Sequence, residues 1–176
     1  MLCLMGKNGS GKSTFLRLLT GLGDLMRENI FWNDNPIHKD PLYQTNLHYI
    51  GHQTGLKSAM TVRENIQLLL LLHRMPMPTN IETIISQLSL TTLMQKSIRQ
   101  LSAGQQKKVA LLKLVLIPKP LWLLDEPLTS LDHVTQAWLE RAIDNQRERG
   151  GIVITSSHQP FACISQPYFS LKIGET

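Results

Sequence analysis

Gly6-Lys7-Asn8-Gly9-Ser10-Gly11-Lys12-Ser13 brings glycines, a lysine and a hydroxyl together in the order that a polyphosphate needs. The run fits G-x-x-x-x-G-K-[ST]. Its context fits too, with the apolar Met1–Met5 reading as a buried strand before it and a helix beginning at Ser13. Gly9 and Gly11 permit backbone conformations that turn successive N–H groups toward one anion. The helix N-terminus adds its partial positive charge to the same place. Lys12 supplies a full charge for β- and γ-phosphates, and the Ser13 hydroxyl is a ligand for Mg²⁺. The candidate phosphate-binding residues are Gly6, Lys7, Asn8, Gly9, Ser10, Gly11, Lys12, Ser13 and Thr14.

A second group lies far downstream. Leu121-Trp122-Leu123-Leu124-Asp125-Glu126 is an apolar strand ending in two carboxylates. Alone, an Asp-Glu pair before Pro127 would serve equally well to cap a turn. Paired with a phosphate loop, Asp125 becomes a metal-holding residue acting through water. Glu126, one residue on, is then placed to orient and deprotonate an attacking water.

The elements that must position these groups can be read from periodicity and breakers. Phe15, Leu16, Leu18 and Leu19 define a helix over 13–22, closed by Gly21 and Gly23. Residues 30–35 read as a strand and turn, and 47–51 as a short strand. Thr61-Val62-Arg63-Glu64 has the form of a capping box before a helix over 65–73. Pro76 and Pro78 interrupt, 81–88 is amphipathic, and 103–117 is a third helix stopped by Pro118 and Pro120. A strand over 121–124, a helix over 134–149 and a final core strand over 151–156 follow. This is an α/β chain with a parallel core sheet and an inserted helical block. The expected division places 1–55 and 118–176 in the core and 56–117 in the helical part. Leu68–Leu72 belongs either to the core of that block or to a partner-facing surface.

Composition narrows the class. The 176 residues are 42% apolar, which excludes a disordered chain and suits one domain. No apolar run approaches the roughly 20 residues of a spanning helix. Cys3 and Cys163 match no metal-binding or CxxC spacing and read as reduced thiols. The net charge of +5 is scattered, with Lys107-Lys108 the only basic doublet, so no direct nucleic-acid surface is expected.

Between the two carboxylates and the phosphate loop stands Leu101-Ser102-Ala103-Gly104-Gln105, which resembles the LSGGQ signature of ATP-binding cassette (ABC) proteins, with Ala103 in place of the first glycine. Gln53 follows a strand as a Q-loop glutamine does. Ser130-Leu131-Asp132 resembles the D-loop, and His158 stands where a switch histidine would. The resemblance covers essentially the whole chain. It implies a P-loop NTPase (RecA-like) core sheet with a helical subdomain, and ATP with Mg²⁺ as the bound species. It gives Glu126, His158 and Gln53 catalytic roles. Ser13, Gln53 and Asp125 are placed around the metal, and Ser102, Gly104, Gln105 and Asp132 at the ATP of a second copy. A homodimer is implied, each cassette holding half of each site.

Gly51-His52-Gln53-Thr54-Gly55-Leu56-Lys57, Pro120–Thr129 and Ser157-His158-Gln159 further resemble the ATP-binding subunit of the cytochrome c maturation haem exporter. That resemblance implies transmembrane transporter partners and a peripheral place on the cytoplasmic or matrix face, with membrane contact only through those partners. Chromosome-structure ATPases share the motifs but carry long coiled coils, which this helical block is too short to form. Translation-type cassettes come two to a chain. Another ABC exporter remains an alternative, as does a truncated cassette with impaired ATPase activity. The family also carries strands ahead of the phosphate loop with an aromatic residue that stacks on adenine. Met1 stands five residues before Gly6, so the expectation is a cassette lacking them, with an open sheet edge and weaker nucleotide binding.

Overall fold

A computed structural model describes residues 1–21, 29–157, 161, 164–165 and 167–174. Gly23, His158, Gln159 and Cys163, named above, lie outside the described residues. The chain packs as two units. The first comprises Met1–His52, Lys119–Pro127 and Ile143–Thr176, and the second Gln53–Pro118 and Leu128–Ala142.

In chain order the elements are β1 (Leu2–Met5), α1 (Lys12–Leu19), β2 (Phe31–Trp32), β3 (Asn35–Pro36), β4 (Leu47–Ile50), α2 (Val62–Leu72), α3 (Ile81–Gln87), α4 (Ala103–Leu116), β5 (Leu121–Asp125), α5 (His133–Glu148), β6 (Ile152–Ser156) and β7 (Phe169–Lys172). The helices and strands expected from periodicity are present, with ends shifted by a few residues.

The first unit is built on a five-stranded sheet of order β4-β5-β6-β1-β7, parallel throughout. All five residues of β5 are buried, which is why its apolar run is unbroken: a central parallel strand is covered on both faces. Leu4, Leu16, Ile37, Tyr43, Leu121 and Leu123 form the cluster that seats α1 on the sheet. Leu4, Leu16 and Leu123 are fully buried, each contributing roughly 1.5–3 kcal/mol. Tyr43 donates its hydroxyl to the Leu19 carbonyl at the end of α1, and its ring meets Trp32 edge-on at 5.9 Å. Burial pushes its phenol up to about 12. Asn33 and Asp34, with φ of 48° and 63°, make the two-residue turn between β2 and β3.

The sheet extends beyond β6, the last strand that the sequence pattern marks. β7 pairs with β1 on the side opposite β6, in the register Leu2↔Phe169 to Met5↔Lys172. All four β7 residues are exposed. The strand is therefore held by its main chain, and no burial pattern marked it in the sequence.

The second unit is helical. Asn65, buried near the start of α2, accepts from the Lys57 N–H at 2.8 Å and donates to the Lys57 and Thr61 carbonyls. It thereby fixes the approach to the helix. Residues 58–63 are laced to 94–99 by main-chain bonds, including Val62 N–H to Lys96 O and Ile98 N–H to Met60 O. The leucine run of α2 divides: Leu70 is buried, while Leu71 and Leu72 are exposed. Among the described residues no helix is long and apolar enough to cross a membrane.

Candidate active site

Because the sheet of the first unit is parallel, the segments leaving its strands gather along one edge. Residues 6–11 follow β1, Gly51-His52 follow β4, Asp125-Glu126 stand at the end of β5, and Ser156-Ser157 at the end of β6. Every candidate of the first unit that falls among the described residues belongs to these segments or to the start of α1.

The loop after β1 needs its glycines. Gly9 and Gly11 have φ of 80° and 98°, in the left-handed region, and Gly11 is the residue from which α1 departs. At Gly6 a Cβ would lie 2.5 Å from the Ile173 carbonyl oxygen and 2.7 Å from Ser10 Oγ. Lys12 is 5% exposed, and its ammonium donates to the Gly6 and Lys7 carbonyls at 2.7 and 3.0 Å. The lysine therefore stays within its own loop, where an incoming anion can replace carbonyl partners. Ser13 is half-buried and Thr14 exposed.

Asp125 is 2% exposed. Its Oδ1 accepts the Ser156 hydroxyl at 2.7 Å, while Oδ2 is buried without a hydrogen-bond partner. His52 Nε2 lies 4.0 Å from Oδ2, at the limit of an ion pair, with its side chain 66% exposed. A buried carboxylate oxygen without a partner costs on the order of 1–3 kcal/mol or more. Such an oxygen is suited to a hydrated divalent cation, a hard ion that prefers oxygen ligands. Mg²⁺ therefore fits this donor set. Glu126 follows in the left-handed region at φ 48°, and its N–H donates to the same Ser156 hydroxyl at 2.8 Å. That conformation costs a non-glycine residue roughly 1–2 kcal/mol. Sequence reasoning missed Ser156, whose only trace was a serine pair ahead of His158.

In the second unit Gln53 is exposed. Ser102 is the N-cap of α4: its Oγ accepts the Gln105 N–H at 3.3 Å, and Gln105 Oε1 accepts the Ser102 N–H at 3.0 Å. Gln106 holds the preceding turn by donating to the Ile98 and Leu101 carbonyls. At Gly104 a Cβ would stand 2.6 Å from the Ser130 carbonyl oxygen, so the start of α4 and the 129–132 loop touch through their backbones. Ser130 has φ 64°. Lys107 donates to the Thr129 carbonyl, and Lys108 makes a direct ion pair with Asp132. Asp132 also accepts from the Thr135 N–H and hydroxyl at 2.8 Å, capping α5. The Lys108 bond, with the two from Thr135, holds the Asp132 carboxyl down at about 2. The structure thus brings Ser102, Gly104 and Gln105 at the start of α4 next to the 129–132 loop that carries Asp132. The two lysines that tie them together carried no signal in the sequence beyond being a basic doublet.

Residues 1–129 match the ABC transporter family. A Vibrio cholerae protein named cytochrome c biogenesis ATP-binding export protein CcmA is 37% identical over 173 residues, spanning 97% of this chain and 83% of that protein. The protein of the same name from Escherichia coli K12 is 39% identical over 174 residues, spanning 98% and 83%. Among solved structures, a Pyrococcus furiosus putative ABC transporter ATP-binding protein superposes with a TM-score of 0.78 at 20% identity, covering 98% of this chain and 83% of that one. A dimeric ATP-binding cassette in a post-hydrolysis state, bound to ADP and Pi, gives a TM-score of 0.75 at 21% identity, covering 99% and 83%. At those identities the two structures bear on the fold.

Proposed function

The chain belongs to the ABC transporter family, and from that premise we propose that it is the ATP-binding and ATP-hydrolysing subunit of an export complex serving cytochrome c biogenesis. The observation that carries the enzymatic reading is the buried, half-satisfied Asp125 carboxylate on the sheet edge that also bears the phosphate loop. The export role rests on likeness to the two cytochrome c biogenesis proteins.

The Gly6–Thr14 backbone and hydroxyls and the Lys12 ammonium hold the ATP phosphates. Asp125, Ser13 and Gln53 would hold Mg²⁺, which when bound neutralises charge on the β- and γ-phosphate oxygens. Glu126 accepts the proton of the attacking water, its backbone tethered by the Ser156 hydroxyl. Gln53 and His158 complete the catalytic set. Ser102, Gly104, Gln105 and Asp132 serve the nucleotide of a second copy. The chemistry is mainly positioning and charge stabilisation, so a site divided between two copies is sufficient. The dimer drives transmembrane partners and touches the membrane through them, on the cytoplasmic or matrix face.

Purified protein should hydrolyse ATP with Mg²⁺ and not with EDTA. Glu126→Gln should accumulate an ATP-bound dimer by size-exclusion chromatography with light scattering. Continued turnover in that variant would sink the general-base role. In a bacterium lacking its own such subunit, the wild-type gene should restore c-type cytochromes and a Lys12→Ala version should not. A wild type that hydrolyses ATP without restoring them points to a different exporter.

A further inference from the structure

Ser156 has no part in any of the nucleotide motifs, yet it is fully buried between the two acidic residues of the site. The parallel register sets it directly beside Asp125. Its hydroxyl acts in both senses, donating to Asp125 Oδ1 at 2.7 Å and accepting the Glu126 N–H at 2.8 Å. With both roles taken, the hydroxyl rotor and the Asp125 carboxylate are fixed. Oδ1 is satisfied and Oδ2 is the oxygen left over. The second bond holds Glu126 at its left-handed φ of 48°. Only a group that donates and accepts at once can do this. Alanine does neither, and threonine does both.

We propose that Ser156 is the positioning residue of the ATPase centre, its single hydroxyl selecting the Asp125 oxygen left for a divalent cation and setting the backbone from which Glu126 acts. The proposal rests on the function argued above and adds to it a residue outside every motif.

The test compares wild type with Ser156→Ala and Ser156→Thr. It uses binding of a fluorescent ATP analogue in EDTA and across a Mg²⁺ titration, steady-state ATPase kinetics, and thermal melts. Ser156→Ala should bind nucleotide in EDTA as the wild type does. Its Mg²⁺ midpoint should rise about tenfold and its kcat fall about tenfold or more, the range expected when the support of a metal-holding residue is lost. KM for the nucleotide at saturating Mg²⁺ should stay nearly unchanged, and Ser156→Thr should restore both the midpoint and kcat. A wild-type Mg²⁺ midpoint in a folded Ser156→Ala protein overturns the proposal. So does an equal loss of binding with and without Mg²⁺, which marks a packing role. If Ser156→Ala melts out, Ser156→Cys keeps the shape with a weak donor and is judged by the same two results. A wild type that shows no Mg²⁺-dependent nucleotide binding refutes the underlying function and not the Ser156 assignment.

Discussion

A methyl group added at Gly104 would come within 2.6 Å of the Ser130 carbonyl oxygen, too close for carbon against oxygen. The backbones of α4 and the 129–132 loop would have to part. Gly104→Ala should therefore destabilise the nucleotide-free protein by about 1–3 kcal/mol, read from its denaturant midpoint. An unchanged midpoint would leave nucleotide contact as the sole reason for that glycine. Asp132 offers a test by pH. Its carboxyl is held at about 2, first by Lys108 and then by Thr135. A depressed acid favours the fold above its unfolded value, and that contribution is lost as pH falls toward 2. Because the side chain is half exposed, the effect on stability is small and salt-sensitive. Carboxyl NMR should place the Asp132 midpoint near 2, and Lys108→Met should raise it. At this scale the motif residues were legible because chain-local spacing defines them. Ser156 and Lys108 were not, because each acquires its role from a residue 31 or 24 positions away.

Among the elements, α2 and α4 begin alike, with a hydroxyl N-cap and a reciprocating side chain three residues on. That shared geometry separates structural from functional loss. Thr61→Ala and Ser102→Ala should each cost about 1 kcal/mol of stability, while ATP turnover should fall only in Ser102→Ala. Equal activity in the two variants would reduce Ser102 to a cap. Lys113 lies on α4 among buried leucines, and burial pushes its ammonium down to about 8. The unfolded chain then binds more protons between about pH 8 and 10.5, so stability rises with pH across that window. Lys113→Met should flatten that rise, read from melts taken between pH 8 and 10.5. Helices and buried strands were legible because amphipathic periods and proline breaks mark them. β7 was not: its residues are exposed, and main-chain pairing with β1, an interaction blind to side-chain type, is what creates it.

For the whole molecule, nucleotide binding and folding are linked. A ligand held only by the native state at 100 times its dissociation constant adds about 2.7 kcal/mol. For a chain of this size that corresponds to a rise in Tm of roughly 5–10 °C. MgATP should produce that shift in the wild type and not in Lys12→Ala, and an equal shift in both would place the nucleotide elsewhere. Fold class could be read from the alternation of strands and helices. Strand order could not, because nothing local states which strands become neighbours. That order governs how the protein is made. β1 lies between β6 and β7, and the Ile173 N–H bonds to the Met5 carbonyl just before the phosphate loop. On the ribosome, the strand that carries the loop emerges well ahead of β6 and β7, and it cannot take its place between them until residues 152–173 have left the exit tunnel. Nascent chains stalled before that point should bind no ATP. Synthesis must therefore run through residue 173 before the nucleotide site exists, and in that interval chaperones rather than ligand must protect it.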